Sequence, residues 1–231
     1  MLRHTALFLW RDTTTEGQKL AALKGLAYLS YGCPSVRAVD FGRDLLGGST
    51  PILETKPWDR TPLWDARAEG PPSNFDMALH LDFDDQAGLD AYNHDDVHHE
   101  VAAYNTSVCR PERTARVDWW YEGARRVERG GVRHTSLFLW TDGAKDVQKS
   151  EAREAFASLD GSVEGLRSLV VADNVGTLRT DYDLIVDAQL DDLAGARALL
   201  ASGGFAAAAA AAAAVTKHEW TARITHQMAS G

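Results

Sequence analysis

Cysteine is scarce, with only Cys33 and Cys109 in 231 residues. Far apart and without a CxxC, they form neither a disulfide framework nor a cysteine-based metal knuckle. A reducing, intracellular setting is therefore expected. Positive charge is also short, and the formal net charge is −9 with no basic block to offset it. That excludes nucleic acid and anionic membrane as natural partners. Long apolar runs are missing as well. The run in the opening MLRHTALFLWRD is too short for a signal-peptide core and meets charge at once. Apart from an alanine tract near the C-terminus, nothing approaches the eighteen apolar residues of a membrane span. The remaining possibility is a soluble, cytoplasmic chain, 45% hydrophobic, with enough apolar residues for one large core or two small ones.

The chain is written twice. RHTALFLWRD at residues 3–12 returns as RHTSLFLWTD at residues 133–142, an offset of 130. Gln18-Lys19 match Gln148-Lys149 at the same offset. From residue 74 onward the offset is 107: NFDMALHLDFDDQAG matches DYDLIVDAQLDDLAG, and TARVDW matches TARITH. The first copy therefore carries 23 extra residues, an insert near 44–73 that holds Trp58, Trp64 and several prolines. The expected domains are residues 1–122 and 131–231, joined by a polar, Gly-bearing connector.

Each copy reads as strand, helix, strand, strand, helix, strand. Leu20, Leu23, Ala27 and Tyr31 recur at helical spacing, and Gly32 and Pro34 end that helix. Across residues 75–83, Phe75, Met77, Leu79, Leu81 and Phe83 alternate with Asp76, Ala78, His80 and Asp82. The second helix reads as two pieces, with Asp95 or Asp96 a natural N-cap between them. The fold class is α+β: two ferredoxin-like βαββαβ repeats, each an antiparallel sheet with helices on one face. Packing the two sheets together would bury their open faces in one intrachain pseudo-dimeric barrel.

RHTALFLW on the first strand, the Y-x5-H spacing from Tyr92 to His98 and ARVDWW on the last strand resemble the stress-responsive A/B barrel (Dabb) family of the dimeric α+β barrel superfamily. The resemblance covers nearly the whole chain as a tandem fusion. It implies chemistry like that of olivetolic acid cyclase-type polyketide cyclases, an aldol condensation with no cofactor and no metal. The implied catalytic residues are His98, Tyr92 and His4. A pocket position on the third strand falls on Met77, with His80 three residues on.

The two copies supply an internal control, because a feature present in one copy only is the better candidate for chemistry. Tyr92, His94, His98 and His99 stand opposite Leu199, Ala201, Phe205 and Ala206. His4 recurs as His134, so a structural role is open beside the catalytic one. Histidine exchanges protons near neutrality, and tyrosine donates well to a developing oxyanion. His98 is thus expected to remove a proton alpha to a carbonyl and Tyr92 to support the enolate. Phe8, Met77, His80, His94, Trp58 and Trp64 are the expected substrate contacts, with the tryptophans as a lid. A helix break before Asp95 would keep His94 from joining His98 as a metal pair, and His99 belongs to solvent. The expected partner is a small apolar carbonyl compound, and the duplication allows a monomer, with a homodimer open beside it. Two alternatives stay open: a cofactor-free monooxygenase of aromatic polyketides using Trp58, Trp64 and Arg43, and a small-molecule-binding protein without catalysis.

Overall fold

The computed structural model describes residues 1–46, 74–122, 130–176 and 182–228. The first half comprises β1 (Leu2–Phe8), α1 (Glu16–Gly32), β2 (Ala38–Arg43), β3 (Met77–Phe83), α2 (Gln86–Asn93), α3 (Asp96–Val108) and β4 (Ala115–Trp120). The second repeats the plan with β5 (Val132–Phe138), α4 (Asp146–Ala157), β6 (Leu166–Asp173), β7 (Leu184–Leu190), α5 (Leu193–Ala201), α6 (Gly203–Ala213) and β8 (Ala222–Gln227). The sheets are ordered β2-β3-β1-β4 and β6-β7-β5-β8, antiparallel throughout.

Local chemistry explains the repeated signals. Gln18 and Gln148 each accept a hydrogen bond from the backbone N–H at the start of their helix, Thr15 (2.9 Å) and Lys145 (3.0 Å). Each satisfies one N–H that helix geometry leaves over. Asp95 caps α3, its side chain accepting from Val97 N–H at 2.8 Å. The alanine tract is helical, as alanine's propensity requires. No single helix among the described residues is long and apolar enough to cross a membrane. The α5–α6 pair qualifies only jointly, and it is bent by 61°.

Strand parity sorts side chains into three cores. Met77, Leu79, Leu81 and Phe83 pack with Leu26, Leu29 and Leu89 beneath the first helices. Phe138, Val186 and Leu190 do the same in the second half with Phe156 and Leu199. Between the sheets, Leu7, Val117 and Trp119 meet Leu137, Ile185 and Ile224. Phe75 leaves the face its alternation suggests and joins this central layer, because the chain at residue 75 has already turned toward β8.

Two seams close the barrel, and they are copies of each other. After β2, Leu45 N–H donates to the Thr225 carbonyl (2.7 Å), while Thr225 N–H donates to Asp44 Oδ1 (3.1 Å). After β6, Val175 N–H donates to the Asp118 carbonyl (2.7 Å), while Asp118 N–H donates to Asn174 Oδ1 (2.8 Å). Phe75 N–H to Arg223 and Tyr182 N–H to Arg116 complete the pair at 2.6 and 2.7 Å. All four sheet edges are thus engaged, which satisfies backbone groups that would otherwise invite aggregation.

Gly42 sits in the first seam. A Cβ there would lie 2.9 Å from the Gln227 carbonyl oxygen and 2.9 Å from His226 Cδ2. The obstacle is backbone, which cannot swing aside. Gly42→Ala is expected to lower stability by about 1–3 kcal/mol, as overpacking does, read as a reduced urea midpoint at constant slope. An unchanged midpoint would mean that the seam is loose.

Candidate active site

A cavity of about 510 Å³ lies between the first sheet and its helices. Its floor is the helix-facing side of the strands: His4, Ala6 and Phe8 of β1, Leu79 of β3, and Arg116 and Asp118 of β4. Its walls are Leu26 and Leu29 of α1, Leu89 and Tyr92 of α2, and His98, Val101 and Asn105 of α3. Val175 and Gly176 of the second half complete it. The second seam therefore forms part of the cavity wall.

His4, Tyr92 and His98 come together here. The Tyr92 and His98 rings stack with centroids 4.0 Å apart, and His4 lies 6.3 Å from Tyr92. The stacking follows from the break at His94–Asp95, which lets α3 turn back over α2. Burial, then His4 and His99, push the His98 imidazole down to about 4, so it is neutral near pH 7. Its Nδ1 is buried without a hydrogen bond. Burial, ahead of nearby acidic groups, raises the Tyr92 phenol, which stays protonated as a donor.

Asp118 stands within the ARVDWW of the last strand but is not among the sequence candidates. Cross-strand register places it opposite His4, with Oδ1 2.6 Å from His4 Nδ1. A carboxylate there holds the proton on Nδ1 and leaves Nε2 to act, the orientation logic of a catalytic triad. The signal that could have found Asp118 is the comparison of copies, since its counterpart is Thr225. Asn105 was missed in the same way. It is 5% exposed, its Oδ1 is buried with no hydrogen bond, and Ala212 stands in its place in the second copy.

Other expected contacts lie elsewhere. His80 points into the barrel, on the opposite face of β3 from the cavity, because it alternates with Leu79. Met77 faces the helices but lies at the start of β3, sealed in the core at 0% exposure. His94 ends α2 and is exposed, with Nδ1 2.7 Å from the Asp90 carbonyl oxygen. It neither lines the cavity nor faces His98. His99 is exposed, as expected. Arg43 is engaged outside the cavity, 2.9 Å from Glu16. Trp58 and Trp64 lie outside the described residues.

The equivalent place in the second half is closed chemically. His134 Nδ1 pairs with Thr225 Oγ1 (2.8 Å) and its Nε2 with Ser136 Oγ (3.1 Å). Phe205 meets its ring edge-on at 6.0 Å. Both ring nitrogens are committed to hydroxyls, so neither can serve a substrate.

Comparisons with known proteins bear on the fold. No family model matches the chain, and no curated protein matches it. Among solved structures, an anthrone oxidase-like protein aligns over 99% of this chain and 91% of its own, at TM-score 0.67 and 12% identity. A protein of Fusobacterium nucleatum, provisionally named a monooxygenase, aligns over 99% and 92% at TM-score 0.55 and 8% identity. At such identities the likeness shows the fold: a ferredoxin-like, dimeric α+β barrel arrangement contained within one chain.

His134 gives a pH prediction. Burial pushes its imidazole down to about 3, whereas the unfolded ring takes a proton near 6.5. Its contribution is intact above pH 6.5 and falls as the pH drops toward 3, because only the unfolded state gains the proton. Between pH 7 and 5 one such histidine removes about 2 kcal/mol of stability. His134→Gln should lose correspondingly less over that interval in urea unfolding. Identical losses would mean that His134 is protonated in the fold.

Proposed function

We propose that the first half-barrel is a cofactor-independent acid–base enzyme acting on a polyketide-like carbonyl compound, with an intramolecular aldol- or Claisen-type cyclisation as its reaction. The single observation that carries this reading is the Asp118–His4 pair facing Tyr92 and His98 across one cavity, with all but the histidine of β1 missing from the second half.

The roles follow from the geometry. His4 Nε2 takes a proton from the carbon alpha to a carbonyl, and Asp118 stabilises the imidazolium that forms. The enolate oxygen accepts a hydrogen bond from the Tyr92 phenol. The enolate carbon then bonds to a second carbonyl carbon of the same chain, and the imidazolium returns its proton to the new alkoxide. His98 was the sequence-based choice for the base. The base role passes to His4 because a carboxylate 2.6 Å from its Nδ1 can support the imidazolium, whereas burial disfavours that charge at His98. His98 then positions Tyr92 by stacking. Apolar walls of leucine and valine suit a hydrocarbon chain, and Asn105 Oδ1 suits a hydroxyl on it.

The anthrone oxidase-like neighbour favours a second reading. Anthrones are carbon acids, and the same deprotonation would give a carbanion open to oxygen instead of to an internal carbonyl. The two readings share the first step, so the test addresses it directly. In D₂O, the protein should exchange the alpha protons of a β-diketone or anthrone probe, followed by NMR. His4→Gln should slow exchange ~10²–10⁴-fold, and Asp118→Asn should lower kcat with little change in KM. Oxygen uptake separates oxidation from cyclisation. Undiminished exchange in both variants would overturn the assignment, and probe binding without exchange would leave a binding protein.

A further inference from the structure

On the barrel side of the first sheet, away from the cavity, three side chains converge that the proposed reaction does not use. Asp40 of β2, His80 of β3 and His226 of β8 each offer a donor atom within 4.8 Å of the other two. His80 and His226 are buried, at 2% and 0% exposed, and the Asp40 side chain is 12% exposed. His226 Nε2 lies 3.3 Å from Asp40 Oδ2, and the two imidazoles stack with centroids 5.4 Å apart.

The imidazoles are incompletely satisfied. His80 Nδ1 pairs with Thr5 Oγ1 at 3.0 Å, and Trp119 Nε1–H donates to that same hydroxyl at 3.0 Å. This chain orients the His80 ring and leaves its Nε2 buried with no hydrogen bond. Orphaned buried nitrogens are uncommon, and the free His80 Nε2 marks a place for a further ligand beside His226 Nε2 and Asp40. A metal-binding histidine fixed through its other nitrogen has the arrangement seen at His80.

Charged groups of both signs surround the cluster. Arg3 lies 2.6 Å from Asp82, and Arg133 lies 2.9 Å from Asp40. Both reach toward Asp187, at 3.7 and 3.6 Å. Asp40, Asp82 and Asp187 thus lie against two guanidinium groups. Arg133 Nη1 makes no hydrogen bond, so its contact with Asp40 is ion pairing alone.

We propose that Asp40, His80 and His226 form a site for one divalent metal ion of the zinc class. Two imidazoles and a carboxylate are the donors that zinc takes in tetrahedral sites. Donors ~2.0–2.1 Å from zinc stand about 3.3 Å apart, the separation already present between His226 and Asp40. The donor of His80 lies within 4.8 Å of both. The ligands come from both halves, so the ion would tie β2 to β8 across the first seam. The corresponding residues at the other seam are Val170, Asp187 and Trp119, which cannot repeat the set. One ion per chain is therefore expected.

The test is zinc content after refolding the full chain with zinc and dialysis against a weak chelator. The expected result is one zinc per chain, lost in His80→Gln and His226→Gln but kept in His94→Gln. With free zinc at 100 times Kd, the melting temperature should rise about 5–10 °C. X-ray absorption at the zinc edge of the unaltered protein reads the ligands directly, even if a variant fails to fold, and should show two imidazoles and no sulfur. No retained zinc, retention in a folded His80→Gln, or a sulfur ligand would overturn the site.

Discussion

The backbone pairing of Asp118 with the loop after β6 is the interaction on which the rest depends. Asp118 lies on an edge strand, where an unpaired backbone would fray. Asn174 and Val175 of the second half grip both its N–H and its C=O. That grip closes one side of the barrel. It also fixes the carboxylate 2.6 Å from His4, and it brings Val175 and Gly176 to the cavity wall. The second half thus contributes its edge to a cavity whose proposed catalytic residues lie wholly in the first.

The same device at the other seam has a different outcome. Asp44 replaces Asn174, and Thr225 replaces Asp118, with the same backbone bonds. A threonine can hydrogen-bond His134 but cannot balance a charge on it. Phe205 and Leu199 fill the space that His98 and Tyr92 occupy in the first half. Duplication has left one barrel with one polar cavity and one apolar core. Closure needs both halves, whereas the proposed proton transfer needs one.

Much of this was legible in the sequence. The repeated RHT[AS]LFLW located the two central strands, parity along residues 77–83 sorted the core, and Asp95 marked the helix break. These signals are local, and each has a period or a cap behind it. The Asp118–His4 contact depends on cross-strand register, which no local pattern reports. The shared TAR of the last strands makes that segment read as scaffold and hides the Asp-to-Thr difference two residues on. His80 shows the opposite case. Its own parity places it inside the barrel, against its inclusion among the cavity contacts. The cluster with Asp40 and His226 is less legible still, because its members come from three strands and both copies. Trp58 and Trp64 of the insert lie outside the described residues.

The central claim is that a carboxylate gripped by the second half sets the proton on His4. Long-range ¹H–¹⁵N correlation of the histidine rings at neutral pH tests it most directly. The prediction is a His4 ring with Nδ1 protonated and Nε2 free, an arrangement weakened in Asn174→Ala. A His4 ring with its proton on Nε2, or one averaging between tautomers as an exposed histidine does, would contradict it.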